Sequence, residues 1–131
     1  MNRIVLVEPD EETLAKMWNA ALECGFHIGN IRRVGTLTPL RDRGRGYDLA
    51  IVGVHPNTPD AVQQSSDVLA SLDGIPIIAV VHAALTEQSF RDHVMAKAKE
   101  IIPLFAVRTQ FEEALRKRIK TLRGMYQLSV L

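Results

Sequence analysis

Four side chains that could bind a metal or move a proton each follow a short, almost continuously apolar run of the sequence. They are Glu8, Asp10, His55 and His82. Carboxylate and imidazole groups together suit zinc or another transition metal. Long stretches of sequence separate these residues, however, without the tight spacing of a metal-binding motif. The sequence therefore favours four separate loop residues and predicts no metal or other cofactor, with Glu8, His55 and His82 as the alternative candidates for a metal centre.

A basic segment between residues 32 and 45 is the second candidate site. Arginine forks bind phosphate through two parallel hydrogen bonds, and glycines in the segment let a ligand approach the backbone. Asp42 is the one acidic residue among the arginines. The segment predicts either an anionic nucleotide ligand or a solvated face whose charge protects an edge strand from aggregation. Its arginines are Arg32, Arg33, Arg41, Arg43 and Arg45.

The third candidate site is a second basic cluster, on the last predicted helix and outside its apolar face. The cluster favours a docking surface for a protein, although basic residues near a helix C-terminus also stabilise the helix dipole by themselves. DNA and RNA are disfavoured as partners, because no reading helix or aromatic platform accompanies the charge. The residues of this predicted partner surface are Arg116, Lys117, Lys120 and Arg123.

The elements that must position these residues alternate between strands and helices. Predicted strands cover residues 3–7, 26–34, 48–54, 75–81 and 101–105. Predicted helices begin at Asp10, at Thr38 and Thr58 (each followed by proline), at Thr86, and at Thr109 in a capping box with Glu112. Glycines end four of them, at Gly25, at Gly44 and Gly46 for a short second helix, at Gly74 and at Gly124. Such alternation predicts an α/β fold: a flavodoxin-like, doubly wound, five-stranded parallel sheet of order 2-1-3-4-5.

Length and composition indicate one globular domain, over residues 1–124, followed by a C-terminal tail over 125–131. The chain has 131 residues, of which 47% are hydrophobic and 24% charged, with a formal net charge of +1. A single cysteine, Cys24, excludes an internal disulfide and fits a reducing compartment. No apolar run is long enough to cross a bilayer and no signal-peptide pattern opens the sequence. We therefore expect a cytoplasmic protein that does not bind membranes.

Four segments carry a resemblance to a known family. They are Ile4-Val5-Leu6-Val7-Glu8-Pro9-Asp10, Tyr47-Asp48-Leu49-Ala50-Ile51-Val52-Gly53, Ile75-Pro76-Ile77-Ile78-Ala79-Val80-Val81, and 98–105 followed by Phe111-Glu112-Glu113-Ala114-Leu115. In pattern and spacing they resemble the first, third, fourth and fifth strands and the last helix of receiver domains in bacterial two-component response regulators, the CheY-like family. The resemblance extends over nearly the whole chain.

The residues that the family uses for phosphorylation are largely replaced. The resemblance implies an aspartate nucleophile, an acidic pair that holds Mg²⁺, a Ser or Thr, and a lysine. Phosphoryl transfer depends almost wholly on such positioning and charge neutralisation. Only Glu8 is retained, whereas Asp10 is assigned to the helix cap. The corresponding positions in this chain are Glu8, Pro9 and Asp10 for the acidic cluster, Gly53 for the acceptor, Val81 for the Ser or Thr and Leu104 for the lysine.

The sequence therefore predicts a pseudo-receiver: a non-enzymatic, phosphorylation-independent signalling module that binds a protein partner, with a homodimer through the last helix as one form. One alternative is an effector that binds a cyclic dinucleotide such as cyclic di-GMP through the arginine segment, as some degenerate receivers do. A further alternative is a metal-dependent hydrolase with its centre at Glu8, His55 and His82.

Overall fold

The computed structural model describes the backbone of residues 2–42 and 45–130 and side chains as far as Met125. Within these residues five parallel strands form one sheet in the order β2-β1-β3-β4-β5, which confirms the flavodoxin-like prediction. The strands are β1 (Ile4–Val7), β2 (Ile31–Val34), β3 (Leu49–Val54), β4 (Ile77–Val81) and β5 (Glu100–Pro103). The helices are α1 (Glu11–Glu23), α2 (Pro59–Ser71), α3 (Gln88–Lys97) and α4 (Phe111–Val130).

Both faces of the sheet are covered, which is why its central strands are apolar at every position. β1, β3 and β4 are buried along their whole length. Successive residues on each strand belong to two separate cores. One core lies under α1 and α4 and the other under α2 and α3, so each strand residue has an apolar neighbour whichever face it points to.

Two helix starts that the sequence predicts are confirmed by their caps. The Asp10 carboxylate accepts hydrogen bonds from the Thr13 backbone N–H at 3.0 Å and from the Thr13 hydroxyl at 2.5 Å. The Thr58 hydroxyl accepts from the backbone N–H of Ala61 at 3.1 Å, and Pro59 occupies the first helical position. Both caps fix the turn that leads from a strand end into the next helix.

The short helix predicted after Thr38 is absent. The described part of the connection from β2 to β3 has no helix. Leu40 and Tyr47 anchor this loop in the core, and the Leu40 N–H donates to the Ser71 hydroxyl at 3.1 Å. A helix of so few residues cannot offset the free-energy cost of helix nucleation. The contacts of Leu40 and Tyr47 with the core determine the path of the loop instead.

Several element boundaries also differ from those predicted. β2 is shorter than predicted, because a 3-10 turn, Ile28–Asn30, precedes it. α3 begins after Glu87, whose carboxylate caps it, and not after Thr86. Thr109 lies inside a 3-10 turn before α4 and not at the N-cap of a capping box.

α4 continues through Gly124 to Val130, so this glycine does not end the helix as predicted. A glycine weakens a helix interior by about 1 kcal/mol relative to alanine, which is not enough to stop a helix. The division into a domain of residues 1–124 and a tail of 125–131 stays a prediction. Among the described residues no helix is both long and apolar enough to cross a membrane.

Candidate functional site

Strand pairing brings three of the predicted site residues to one place. Glu8, His55 and His82 each follow directly on the last residue of β1, β3 and β4. β3 and β4 pair with Val54 opposite Val81, so the two histidines come next at the same level. In the β1–β3 register Val7 pairs with Val52, so Glu8 comes next at the level of Gly53, two residues before His55. The carboxyl edge of the sheet therefore joins three residues that are up to 74 positions apart.

The two imidazoles bind opposite oxygens of one carboxylate. The Nε2 atom of His55 lies 2.7 Å from Glu8 Oε2, and the Nε2 atom of His82 lies 2.5 Å from Glu8 Oε1. The rings stack with centroids 3.9 Å apart and an angle of 22° between their planes. The backbone N–H of Asp10 donates to Glu8 Oε2 at 3.1 Å. The Glu8 side chain is fully buried, and these donors satisfy both of its oxygens.

The carboxyl group of Glu8 is ionised despite its burial. Desolvation alone would raise its pKa, but the hydrogen bonds from His55 and His82 and their charges outweigh it and lower the pKa below its ordinary value. An ionised carboxylate only accepts hydrogen bonds, so each Nε2 must carry a hydrogen. The cluster is thus a buried anion held between two imidazole donors.

Gly53 leaves the space that the Glu8 carboxylate occupies. A Cβ atom built on Gly53 would lie 2.8 Å from Glu8 Oε2 and closer still to Oε1 and Cδ. Gly53 is the position to which the resemblance assigns the phosphoacceptor. An aspartate there would compete with the Glu8 carboxylate for the same volume.

The other positions of the predicted degenerate site are apolar or, at Asp10, occupied by a helix cap. Val81 and Leu104 are buried in the two cores, and Pro9 is exposed. The Asp10 carboxylate is turned toward Thr13 as the cap of α1. Mg²⁺ demands near-octahedral oxygen ligands, whereas one carboxylate between two imidazoles offers mainly nitrogen. These residues do not fit the magnesium ion that the receiver resemblance implies.

Ser65 belongs to the site, although no motif in the sequence selects it for binding. Its side chain is fully buried on α2, and its hydroxyl accepts from the backbone N–H of His55 at 3.1 Å. This bond fixes the point where the chain leaves β3. The sequence feature that could have identified Ser65 is its place, as a small polar residue, on the same helical face as the apolar Val68 and Leu69.

The structure divides the arginine segment between opposite faces of the sheet. Arg32 and Arg33 are neighbours on β2, so their side chains alternate. The Nη1 atom of Arg32 lies 3.4 Å from the Tyr47 hydroxyl oxygen and 3.6 Å from an Asp42 carboxylate oxygen. The Arg33 guanidinium instead stacks 4.2 Å from the centre of the Trp18 ring.

Arg41 lies on the same side as Arg32. Both line a cleft of about 340 Å³, together with threonine hydroxyls at Thr36 and Thr38. Arg45 is exposed, and Arg43 lies outside the described residues. The pair that a single ligand could contact is therefore Arg32 with Arg41, and not Arg32 with Arg33.

Two of the four residues of the predicted partner surface on α4 form contacts within the molecule. The Arg116 Nη1 atom lies 2.9 Å from a Glu23 carboxylate oxygen on α1. The Arg123 guanidinium donates to the Cys24 carbonyl oxygen at the end of the same helix. These two arginines hold α4 against α1. The two predicted residues that stay exposed are Lys117 and Lys120.

Solved structures with the same architecture show what this arrangement is similar to. A response regulator from Thermotoga maritima is 16% identical, with 93% of this chain and 98% of that chain covered and a TM-score of 0.59. The chain has the fold of a response regulator receiver domain.

Two further solved structures share this fold with the chain. The N-terminal domain of a response regulator/sensory box/GGDEF three-domain protein from Carboxydothermus hydrogenoformans is 15% identical, with 99% and 100% coverage and a TM-score of 0.64. A protein described as related to pilus assembly, from Burkholderia pseudomallei, is 16% identical, with 95% and 90% coverage and a TM-score of 0.61. No protein-family model matches the chain, and no curated protein does either. These likenesses concern the fold, so the function has to be argued from the site.

Proposed function

We propose that this chain is a receiver-like signalling module that acts without phosphorylation, by binding other proteins. The observation that carries the proposal is the Glu8 carboxylate over Gly53. The acceptor position has no nucleophile, and a buried carboxylate that two imidazoles already hold occupies its space.

The lost chemistry extends beyond the acceptor. A receiver that takes up a phosphoryl group must neutralise the charge on its oxygens, for which it needs a metal and a cationic side chain. Leu104 at the lysine position is buried among apolar residues, and Val81 at the switch position has no hydroxyl. A phosphoryl group would therefore meet neither a nucleophile nor these partners.

A docking function is supported by the surface around β5. In receivers the fourth helix, fifth strand and fifth helix commonly form the partner surface, and α3, β5 and α4 correspond to them here. Met95 on α3 and Phe105 after β5 are 60% and 43% exposed, which is unusual for apolar side chains of their size. Lys117 and Lys120 add positive charge on α4. A homodimer through α4 stays a prediction.

Phosphodonors are expected to leave the protein unchanged. Incubation with acetyl phosphate and Mg²⁺ should add no phosphoryl mass to the intact chain. Beryllofluoride with Mg²⁺ should leave the melting temperature within about 1 °C, because a ligand that does not bind the folded state cannot stabilise it. A phosphoryl adduct, or a clear rise in the melting temperature with beryllofluoride, would refute the phosphorylation-independent module.

A second candidate function is binding of a cyclic dinucleotide at the cleft that Arg32 and Arg41 line. Two guanidinium groups and the hydroxyls of Thr36 and Thr38 offer donors to a phosphodiester. The cleft volume of about 340 Å³ lies near the lower end of the range for small-molecule pockets. Arg33, on the other face, would take no part.

If this second function holds, cyclic di-GMP should raise the melting temperature by several degrees at about a hundred times its dissociation constant. Arg32→Ala and Arg41→Ala should each remove most of this rise. Arg33→Ala is the matched control and should retain it, since its side chain stacks on Trp18. No rise with any cyclic dinucleotide would eliminate this candidate without affecting the docking proposal.

A further inference from the structure

We propose that Glu8, His55 and His82 bind one divalent transition-metal ion of the zinc class at the carboxyl ends of β1, β3 and β4. The inference goes beyond the docking function, because it assigns the module a ligand of its own. Each of the three residues offers one ligand atom, and these atoms all lie within 4.8 Å of one another. The sequence alone had favoured their separation.

The type of donor selects the class of metal. Two imidazoles and one carboxylate are a ligand set of zinc sites that keep an open position for water, and the same set also suits ferrous iron. Imidazole nitrogen is a poor ligand for Mg²⁺ and Ca²⁺, which prefer oxygen. Two imidazoles beside a single carboxylate thus favour a transition metal over a cation that prefers oxygen ligands.

The ligand atoms already lie within 4.8 Å of one another, and the stacked imidazole rings must rotate so that both Nε2 lone pairs point to one ion. Bonds of about 2.0–2.1 Å at tetrahedral angles place two ligand atoms roughly 3.3 Å apart. The Nε2 atoms of His55 and His82 now lie 2.7 and 2.5 Å from the Glu8 oxygens, so each contact would lengthen by less than about 1 Å. Strand register already aligns the backbones, and side-chain rotation can supply the rest. On binding, each Nε2 loses its hydrogen and donates its lone pair to the ion; the neutral ring keeps one hydrogen, on Nδ1, and any surplus proton passes to solvent.

Charge and access both favour an ion at this point. The Glu8 carboxylate is fully buried, so a divalent cation would offset a negative charge that has been removed from water. The side chains of His55 and His82 are 16% and 12% exposed, which leaves one side of the cluster open to solvent. An ion can enter there and complete its coordination with water.

Neighbouring groups hold the ligands in place. The Asp10 N–H binds Glu8 Oε2, and the Ser65 hydroxyl accepts from the N–H of His55. Such outer contacts orient ligands and contribute about 10- to 100-fold to metal affinity in other proteins. The competing arrangement is a metal-free triad in which shared hydrogens alone join the carboxylate to the imidazoles.

Metal titration of the tag-free, chelator-treated protein distinguishes the two. We expect one Zn²⁺ per chain by calorimetry and a visible absorption band when Co²⁺ is the probe. A hundredfold excess of Zn²⁺ over its dissociation constant should raise the melting temperature by about 8 °C, and Mg²⁺ should not raise it. If neither a heat of Zn²⁺ binding nor a Co²⁺ absorption band is observed, the cluster is a hydrogen-bonded triad without a metal, and the proposal is wrong. Equal binding of Mg²⁺ would equally overturn the proposal.

Variants locate the ion. His55→Ala, His82→Ala and Glu8→Gln should each weaken Zn²⁺ binding by about 100-fold or more, beyond the usual effect of an outer contact. The matched controls are His27→Ala and His93→Ala, which remove the two histidines outside the cluster and should change affinity less than twofold or so. Circular dichroism in chelator verifies each fold, and His82→Gln replaces His82→Ala if the latter unfolds. Zinc binding that survives loss of both cluster histidines, or that needs His27 or His93, would refute the site. Neither result affects the docking proposal, which rests on Gly53 and not on an ion.

Discussion

Gly53→Ala is expected to lower the free energy of unfolding by about 3 kcal/mol, the upper range for an added methyl group in a packed interior. The new Cβ would lie 2.8 Å from Glu8 Oε2 and closer to the rest of the carboxylate. A flexible side chain could move away, but this one is fully buried with an imidazole on each oxygen. Urea unfolding of the two proteins measures the difference.

Two comparisons test the cause. Gly35→Ala is the matched control, because no atom lies within 4 Å of the Cβ it would add. It should leave stability within about 1 kcal/mol, or increase it by restricting the unfolded chain. In a Glu8→Ala background the effect of Gly53→Ala should shrink by about 2 kcal/mol, a coupling typical of residues in contact. A Gly53→Ala protein as stable as the parent would mean that the carboxylate does not lie over Gly53.

The same geometry explains why an aspartate at Gly53 would not simply restore a phosphoacceptor. Its side chain would stand beside the Glu8 carboxylate in a buried space. Two carboxylates that share such a site cannot both ionise without a large rise in the pKa of one. An aspartate at Gly53 and the present Glu8–histidine contact are therefore expected to exclude each other.

The fold followed from the sequence because its signals are local and repeated. The apolar runs of β1, β3 and β4 match the burial of these strands, and right-handed crossovers leave few orders for five strands. The error after Thr38 has the opposite origin. A threonine followed by proline is a local signal, whereas the path of that loop is determined by Leu40 and Tyr47, which pack against distant parts of the chain.

From the sequence, only the location of the site at the carboxyl edge of the sheet was predictable, and not the contacts within it. Apolar runs place Glu8, His55 and His82 at strand ends, but their contact depends on register, which an isolated sequence does not give. A shift of one residue between β3 and β4 would turn one imidazole to the other face. The space for the Glu8 carboxylate depends on the absence of a side chain at Gly53. In the sequence, this glycine indicates only a missing nucleophile and does not show that another side chain fills the space.

His82→Ala is expected to lower the free energy of unfolding by about 3 kcal/mol in metal-free protein at neutral pH. Removal of one hydrogen-bond donor leaves part of the charge of a buried carboxylate without compensation, and losses of this kind reach about 3–5 kcal/mol when a partner of a buried charge is removed. The lower end applies because the ring is 12% exposed, so water can enter the vacated space. Urea unfolding in chelator gives the value. His27→Ala, which removes an exposed imidazole, should change it by less than about 0.5 kcal/mol.

A Glu8→Gln background separates charge from packing in this loss. The amide of glutamine has the shape of the carboxylate but no charge, so its contact with His82 is an ordinary hydrogen bond worth about 1 kcal/mol. The effect of His82→Ala should therefore fall by about 2 kcal/mol in this background. An unchanged effect would mean that the ring stabilises the protein by stacking on His55, at 3.9 Å, and not by holding a buried anion. The negative charge of the buried Glu8 carboxylate would attract a cation and would repel a second carboxylate at Gly53. The coupling energy between Glu8→Gln and His82→Ala therefore measures the charge on which both the metal proposal and the incompatibility with an acceptor depend.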